Sequence, residues 1–246
     1  MNLTAVLVSA IALAGCSESP EAPPASPRAS QEPVASPSLP TAKPGVIVVR
    51  VTYAGSPDVE TIRVNKDVKQ CGQRARVGRI VVGEGRGLAN AVASVAGLDG
   101  PPTSRTPKLD QRGCQFLPHV LAMRTGGLEI LNSDGILHNI HTYSDANPSI
   151  NKAQPGFKKV MTETFDTPEV IKVTCDVHSW MLGWIVVMPH PYFGVTDERG
   201  AARIDDVPAG AHTVEVWHET LGKRTKDVTV KPDETTEVVF EFTATG

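Results

Sequence analysis

From residue 46 onward the chain reads as short apolar or alternating runs, cut by Gly, Pro, Asn and Asp. Val46–Tyr53 alternates with β-branched residues dominant, the pattern of a strand with one buried face. Comparable runs follow at Glu60–Val64, Arg79–Val82, Ala91–Ala96, Val120–Met123, Gly127–Leu131, His138–Tyr143, Lys158–Phe165, Val170–Cys175 and Trp184–Met188. The last group is Tyr192–Thr196, His212–Trp217, Lys226–Val230 and Glu237–Phe242. No window sustains a helical period, so the predicted fold class is all-β, with strands spaced as in β-sandwiches. The 21 Gly and 20 Pro among 246 residues, with 5% aromatics, fit many short strands and turns.

The first forty-odd residues break this pattern. Leu3–Ala14 is an apolar run too short to span a bilayer as a stable helix. It ends in Leu13-Ala14-Gly15-Cys16, which resembles the lipobox of bacterial lipoproteins. The resemblance implies a signal peptide over 1–15, cleavage before Cys16 and a diacylglycerol on its thiol. Ser17 after the Cys, in place of Asp, implies the outer membrane on the same ground. An ordinary secretory peptide with a chance Cys is the competing reading. Residues 16–44 are dense in Pro, Ser and Ala and cannot bury enough surface to order themselves, which makes them a tether.

Net charge is -3 with both signs mixed along the chain, and no basic stripe is present, so nucleic acid is excluded as a partner. Gly83-Glu84-Gly85-Arg86-Gly87 lacks the Gly-Lys-Ser/Thr ending of a phosphate loop and reads as a hairpin loop. No Gly-x-Ser-x-Gly elbow or zinc-protease motif occurs, and the reading is of a non-enzyme.

The chemistry concentrates in Cys175-Asp176-Val177-His178-Ser179-Trp180-Met181. It offers a thiolate, an imidazole and a thioether in one loop, a donor set suited to electron-transfer copper. A second imidazole comes from Leu137-His138-Asn139-Ile140-His141, at the start of another strand. These two segments resemble the cupredoxins, in particular the amicyanin and plastocyanin type, over about residues 127–188. The resemblance implies a Greek-key sandwich holding one type 1 copper ion through His138, Cys175 and His178, with Met181 axial. It makes Asn139 a brace of the ligand loop and His178 the ligand at the solvent edge. His141 has the spacing of a backup ligand. Leu137 and Ser179 depart from the family, standing where Pro often flanks the two histidines. A fold that has lost its metal, with Cys175 as a buried core thiol, is the competing reading.

Four cysteines are present. With Cys16 assigned to lipid and Cys175 to metal, Cys71 and Cys114 remain as a disulfide pair suited to an oxidising compartment. Beyond a boundary near Pro189–Pro191, residues 191–246 resemble the carboxypeptidase-regulatory-like β-sandwich, with turn signals at Thr196–Gly200 and Asp206–Gly210. The expected domains are therefore a cupredoxin-like unit with an N-terminal extension over 45–190 and a small sandwich over 191–246. The whole chain resembles exported bacterial proteins with this pairing, some labelled methylamine utilisation proteins. His119 and His218 read as structural.

The resemblance implies a periplasmic, membrane-anchored electron carrier. Trp180, Met181 and Leu182 would form a small docking patch for a cytochrome c or another periplasmic redox protein. The alternatives are a copper-handling lipoprotein and a metal-free scaffold.

Overall fold

The computed structural model describes residues 43–100 and 106–244. The expected signal segment, Cys16 and the linker through residue 42 lie outside the described residues. The chain runs through β1 (Gly45–Tyr53), β2 (Glu60–Arg63), a short helix α1 (Val68–Cys71), β3 (Arg74–Val77) and β4 (Val92–Val95). Then come β5 (Lys108–Gln111), β6 (Phe116–Leu117), β7 (Val120–Arg124), β8 (Gly126–Asn132), β9 (His138–Tyr143), β10 (Asn151–Gln154), β11 (Val160–Phe165), β12 (Glu169–Thr174) and β13 (Leu182–Met188). The last five are β14 (Phe193–Val195), β15 (Ala201–Val207), β16 (Gly210–His218), β17 (Gly222–Val230) and β18 (Thr235–Phe242). The fold is all-β, as the strand pattern predicts. Among the described residues no helix is long and apolar enough to cross a membrane.

Two sandwiches result. The first packs the five-stranded sheet β10-β9-β12-β13-β7 on the four-stranded sheet β11-β8-β5-β6. Its core includes Leu109, Phe116, Leu128, Ile130, Ile140, Phe165, Ile171 and Ile185. Period-2 alternation explains the layering: in β12, Ile171 and Val173 turn inward while Val170 and Lys172 face solvent. The second packs β15-β1-β18 on β14-β4-β16-β17 around Ile47, Val49, Val51, Leu88, Val214, Val216, Phe240 and Phe242. Its β1 runs parallel to β18 from Val46↔Thr235 to Tyr53↔Phe242.

This connectivity revises the expected domain boundary. β1 lies between β15 and β18, and β4 lies between β14 and β16. Residues 191–246 alone therefore lack the strand that joins each of these pairs. Stretches expected as an N-terminal extension of the first domain complete the second sandwich instead. Strands close in sequence at 190/191 gave no hint of this, because the partners that bury β1 lie at the far end of the chain.

The sandwiches meet through Val92, Val120 and Val186, with Trp184 and Trp217 packed edge-to-face at 5.4 Å. Glu219 ties the junction further: it accepts from Trp184 Nε1 at 2.7 Å and pairs with His119 Nε2. His218 is buried, its Nδ1 accepting from the Thr220 N–H at 3.2 Å.

Local differences from the predicted strands have local causes. Arg79–Val82 is not a strand; the N–H groups of Arg79 and Ile80 donate instead to the Asp58 carboxylate at 2.9 and 2.6 Å. β5, β6 and β10 have two to four residues, too few for a period to show. β15 hides behind Arg203, Asp205 and Asp206; Asp206 takes φ 56, and the register against β1 shifts between Gly45 and Ile47. The result is a bulge that lets both Ile204 and Val207 face the core.

Candidate metal centre

Antiparallel pairing of β12 with β9, through Thr174↔His141, Val173↔Thr142 and Lys172↔Tyr143, sets the end of β12 beside the start of β9. His138 opens β9 and Cys175 follows β12, so the register alone brings them together. The chain then turns back towards β13, with Met181 N donating to His178 O at 2.9 Å. That turn folds His178 over Cys175.

The donor atoms of His138, Cys175 and His178 all lie within 4.8 Å of one another, and all three residues are buried. His138 Nδ1 is 3.1 Å from His178 Nδ1, and Cys175 Sγ is 3.7 Å from His178 Nδ1. Met181 is 2% exposed and belongs to the same core cluster as Cys175. The Asn139 N–H donates to Cys175 Sγ at 3.3 Å. The Asn139 side chain donates to Asn151 Oδ1 at 2.7 Å and accepts from Asp176 N at 3.2 Å, tying the starts of β9 and β10 to the ligand loop.

Both imidazoles turn their Nε2 atoms away from the cluster and onto carboxylates. His138 Nε2 meets Asp134 Oδ2 at 2.9 Å, and His178 Nε2 meets Asp67 Oδ2 at 2.9 Å. Asp134 is itself held by Gly113 N at 2.7 Å, Cys114 N at 2.8 Å and Gln70 Nε2 at 3.2 Å. Burial opposes its ionisation, but the bonds from Cys114, His138, Gly113 and Gln70 outweigh that and hold its carboxyl below the usual range. Burial pushes His138 below its ordinary value, against the pull of Asp134, so its ring is neutral at pH 7.

These contacts test the fit of a metal. Carboxylate partners keep the ring protons on Nε2, which leaves two Nδ1 lone pairs and one sulfur aimed at the same buried point. Facing lone pairs repel unless a cation lies between them. Separations of 3.1 and 3.7 Å suit donors that share one ion through bonds of about 2.0–2.3 Å. Two imidazoles, a cysteine sulfur and the thioether of Met181 in the same core cluster form a nitrogen–sulfur donor set. The residues fit a copper ion.

Not every expectation holds. His178 is 0% exposed and does not form a solvent edge. Met181 is buried, while Trp180 and Leu182 are half-buried, so they do not make an open apolar patch. His141 lies outside the cluster: its side chain faces the other side of β9, pairing with Asp176 at 2.9 Å and stacking on Tyr143 at 4.5 Å. Alternation along β9 places residues 138 and 141 on opposite faces.

Cys71 and Cys114 form a disulfide. Its place is informative: both sulfurs lie within 4.8 Å of a ring nitrogen of His178, and Cys114 Sγ within that distance of His138 and Asp134 donor atoms. Trp180 Nε1 donates to Cys114 O at 3.2 Å, closing the same wall. Asp134 and Asp67 were missed by sequence reasoning. Asp134, four residues before His138 in Asn132-Ser133-Asp134-Gly135, carried a local signal. Asp67 carried none, standing 111 residues from His178.

No family model and no curated protein matches the chain. Partial likenesses exist among solved structures. A copper-containing nitrite reductase from Thermus scotoductus shares 20% identity over 39% of this chain and 25% of that one, at TM-score 0.32. A purple cupredoxin from Nitrosopumilus maritimus shares 19% over 33% of this chain and 99% of that one, at TM-score 0.29. A point variant of amicyanin shares 16% over 39% of this chain and 98% of that one, at TM-score 0.31. The chain thus spans a quarter of the nitrite reductase. Scores this low assign no family.

Proposed function

We propose that this is a cupredoxin-type protein that holds one copper ion in a type 1 centre and carries single electrons. The observation that supports it is the convergence of His138 Nδ1, His178 Nδ1 and Cys175 Sγ in one buried pocket. Met181 closes the same loop at the spacing of an axial thioether. A bound copper ion supplies reversible one-electron chemistry there. The protein's own part is to hold the donors still: Asn139 braces the loop, and Asp134 fixes the His138 ring. Donors held this rigidly would let a bound ion exchange one electron with little rearrangement of His138, Cys175 and His178.

On this reading the chain is a carrier and not an enzyme. Cys16 anchors it by lipid to a bacterial membrane on the periplasmic side, the outer membrane being favoured. The donor or acceptor is a cytochrome c or another periplasmic electron-transfer protein. Strands β14–β18 represent a regulatory-like module that shares its sheets with β1 and β4.

One observation favours a second reading, copper handling. Both ligand histidines are fully buried, which suits retention of an ion better than fast exchange with a partner. The test is the visible spectrum of the full chain loaded with Cu(II). The carrier reading expects an intense thiolate-to-copper band that bleaches with ascorbate, recovers on reoxidation and is missing in Cys175→Ala. A protein that takes up copper but exchanges electrons slowly would move the assignment to copper handling. A colourless protein that binds no copper would leave a metal-free scaffold.

A further inference from the structure

His178 owes its burial to a piece of chain outside the sandwich that carries it. Strands β2 and β3 form a two-stranded ribbon that, among the described residues, pairs with no other sheet, and α1 lies between them. Asp67 stands at the N-cap of α1 and Cys71 at its last position. No residue of α1 is fully buried, but Cys71 packs against the core of the metal sandwich, and Val64 and Ala75 on either side of the helix are buried. Beyond that packing, its attachments to the metal sandwich are polar or covalent. They are the Asp67–His178 bond, the Gln70–Asp134 bond at 3.2 Å and the Cys71–Cys114 disulfide.

We propose that Asp67 is the positioning residue of the His178 imidazole, and that α1, stapled by Cys71–Cys114, is a cap that seals this ligand from solvent. The Asp67 carboxylate sets three things together. It keeps the ring proton on Nε2, so that Nδ1 is bare toward Cys175 and His138. It fixes the plane of the ring. It also fills the space where solvent or a partner would meet Nε2. Asp67 holds φ 48, left-handed backbone that Asp tolerates better than most residues, and this aims its side chain back over the site. The same wall serves the other histidine, since the Cys114 N–H holds Asp134.

The disulfide makes the cap conditional. A dithiol reductant breaks the S–S bond, two electrons and two protons convert the sulfurs to thiols, and the reductant leaves as its own disulfide. The cap then retains its two polar contacts and the packing of Cys71, and α1 opens locally more often. His178 becomes accessible to solvent, to a chelator or to a redox partner. The cap itself is read from the metal-free arrangement; only its consequence for the ion rests on the copper reading.

The experiment uses the full chain, metal-free and oxidised, with diethyl pyrocarbonate and peptide mapping of each histidine. His178 should be protected, and Asp67→Ala or prior dithiol treatment should raise its labelling rate roughly tenfold or more. Asp67→Asn, which keeps an acceptor oxygen, should recover much of the protection. His218, buried in the second sandwich, is the control for unfolding. Unchanged His178 labelling in both Asp67→Ala and the reduced chain, with His218 still protected, overturns the proposal. So does labelling that rises equally at His178 and His218. A parallel arm loads Cu(II) and follows its loss to a chelator, expected about tenfold faster in Asp67→Ala. If the chain binds no copper yet Asp67 still shields His178, the copper reading falls and the cap stands.

Discussion

His138 and His178 face each other through their Nδ1 atoms at 3.1 Å, and each gives its Nε2 to an aspartate at 2.9 Å. The two aspartates come from different places: Asp134 from the loop before β9, Asp67 from the ribbon that covers the site. One histidine is thus oriented by its own sandwich and the other by a segment stapled onto it. The symmetry of the hydrogen bonding conceals an asymmetry of attachment: Asp134 lies between β8 and β9 of the sandwich, Asp67 between β2 and β3 of the ribbon.

Cys175→Ser should abolish the copper band while leaving a folded protein. The thiol is 2% exposed and accepts one bond, from the Asn139 N–H at 3.3 Å. A hydroxyl can accept that bond, so the loss of stability should stay near 1 kcal/mol. Copper titration followed by visible absorption, with a denaturant melt of the same sample, checks both halves.

The site was legible where chemistry and register coincide. Cys175, His178 and Met181 are adjacent in one loop, and β-branched alternation placed His138 at the head of a neighbouring strand. The pairing of Cys71 with Cys114 followed from the remaining cysteines once the other two had roles. What could not be read was long-range placement. Parallel pairing of β1 with β18 joins chain ends through hydrogen bonds that leave no sequence signature. Asp67 has no pattern at all around it, and its importance comes only from where the disulfide holds it. The exposure of His178 was misjudged for the same reason, since the covering segment is remote in sequence.

Glu219 should prove the main polar lock between the sandwiches. Its side chain is 1% exposed, accepts from Trp184 Nε1 at 2.7 Å and pairs with His119. Glu219→Ala leaves the indole N–H of half-buried Trp184 and the His119 ring without partners, at a cost of about 1–3 kcal/mol. The change should appear as a lower unfolding midpoint and as altered Trp fluorescence, because Trp184 and Trp217 share the junction. An unchanged midpoint and spectrum would argue that solvent reaches this junction.

Stability should fall on the acid side in two stages. Burial pushes His138, His190 and His218 below their ordinary 6.5, so the folded state keeps these rings neutral. The unfolded chain binds more protons once pH drops below 6.5, and stability present above that value declines as pH falls toward the folded values. Glu169 adds the second stage. Burial opposes its ionisation, but bonds from Ser144, Asn147, Asp145 and Ala146 lower it from 4.5 to about 2. A depressed carboxylate stabilises above its unfolded value, so this contribution is complete above 4.5 and disappears as pH falls through about 2. Urea midpoints of the metal-free chain, measured across this range, should show both declines. Glu169→Gln should weaken only the second, to which Asp134 also contributes, and cost about 1 kcal/mol at neutral pH, because the group is half-buried.

Asn139 separates bracing from ligation. Its side chain links Asn151 Oδ1 at 2.7 Å to Asp176 N at 3.2 Å, while the bond to Cys175 Sγ comes from its backbone and survives any substitution but Pro. Asn139→Ala therefore keeps the thiolate's partner and releases the loop that carries His178. Copper affinity, measured against a competing chelator, should fall about tenfold. The metal-free protein should lose about 1–2 kcal/mol, since Asn139 is 6% exposed and Asp176 N loses its acceptor. A drop in affinity without a matching loss of stability would show that the brace acts on donor geometry. Equal losses in the metal-free and loaded forms would instead make Asn139 a plain structural link between β9, β10 and the ligand loop.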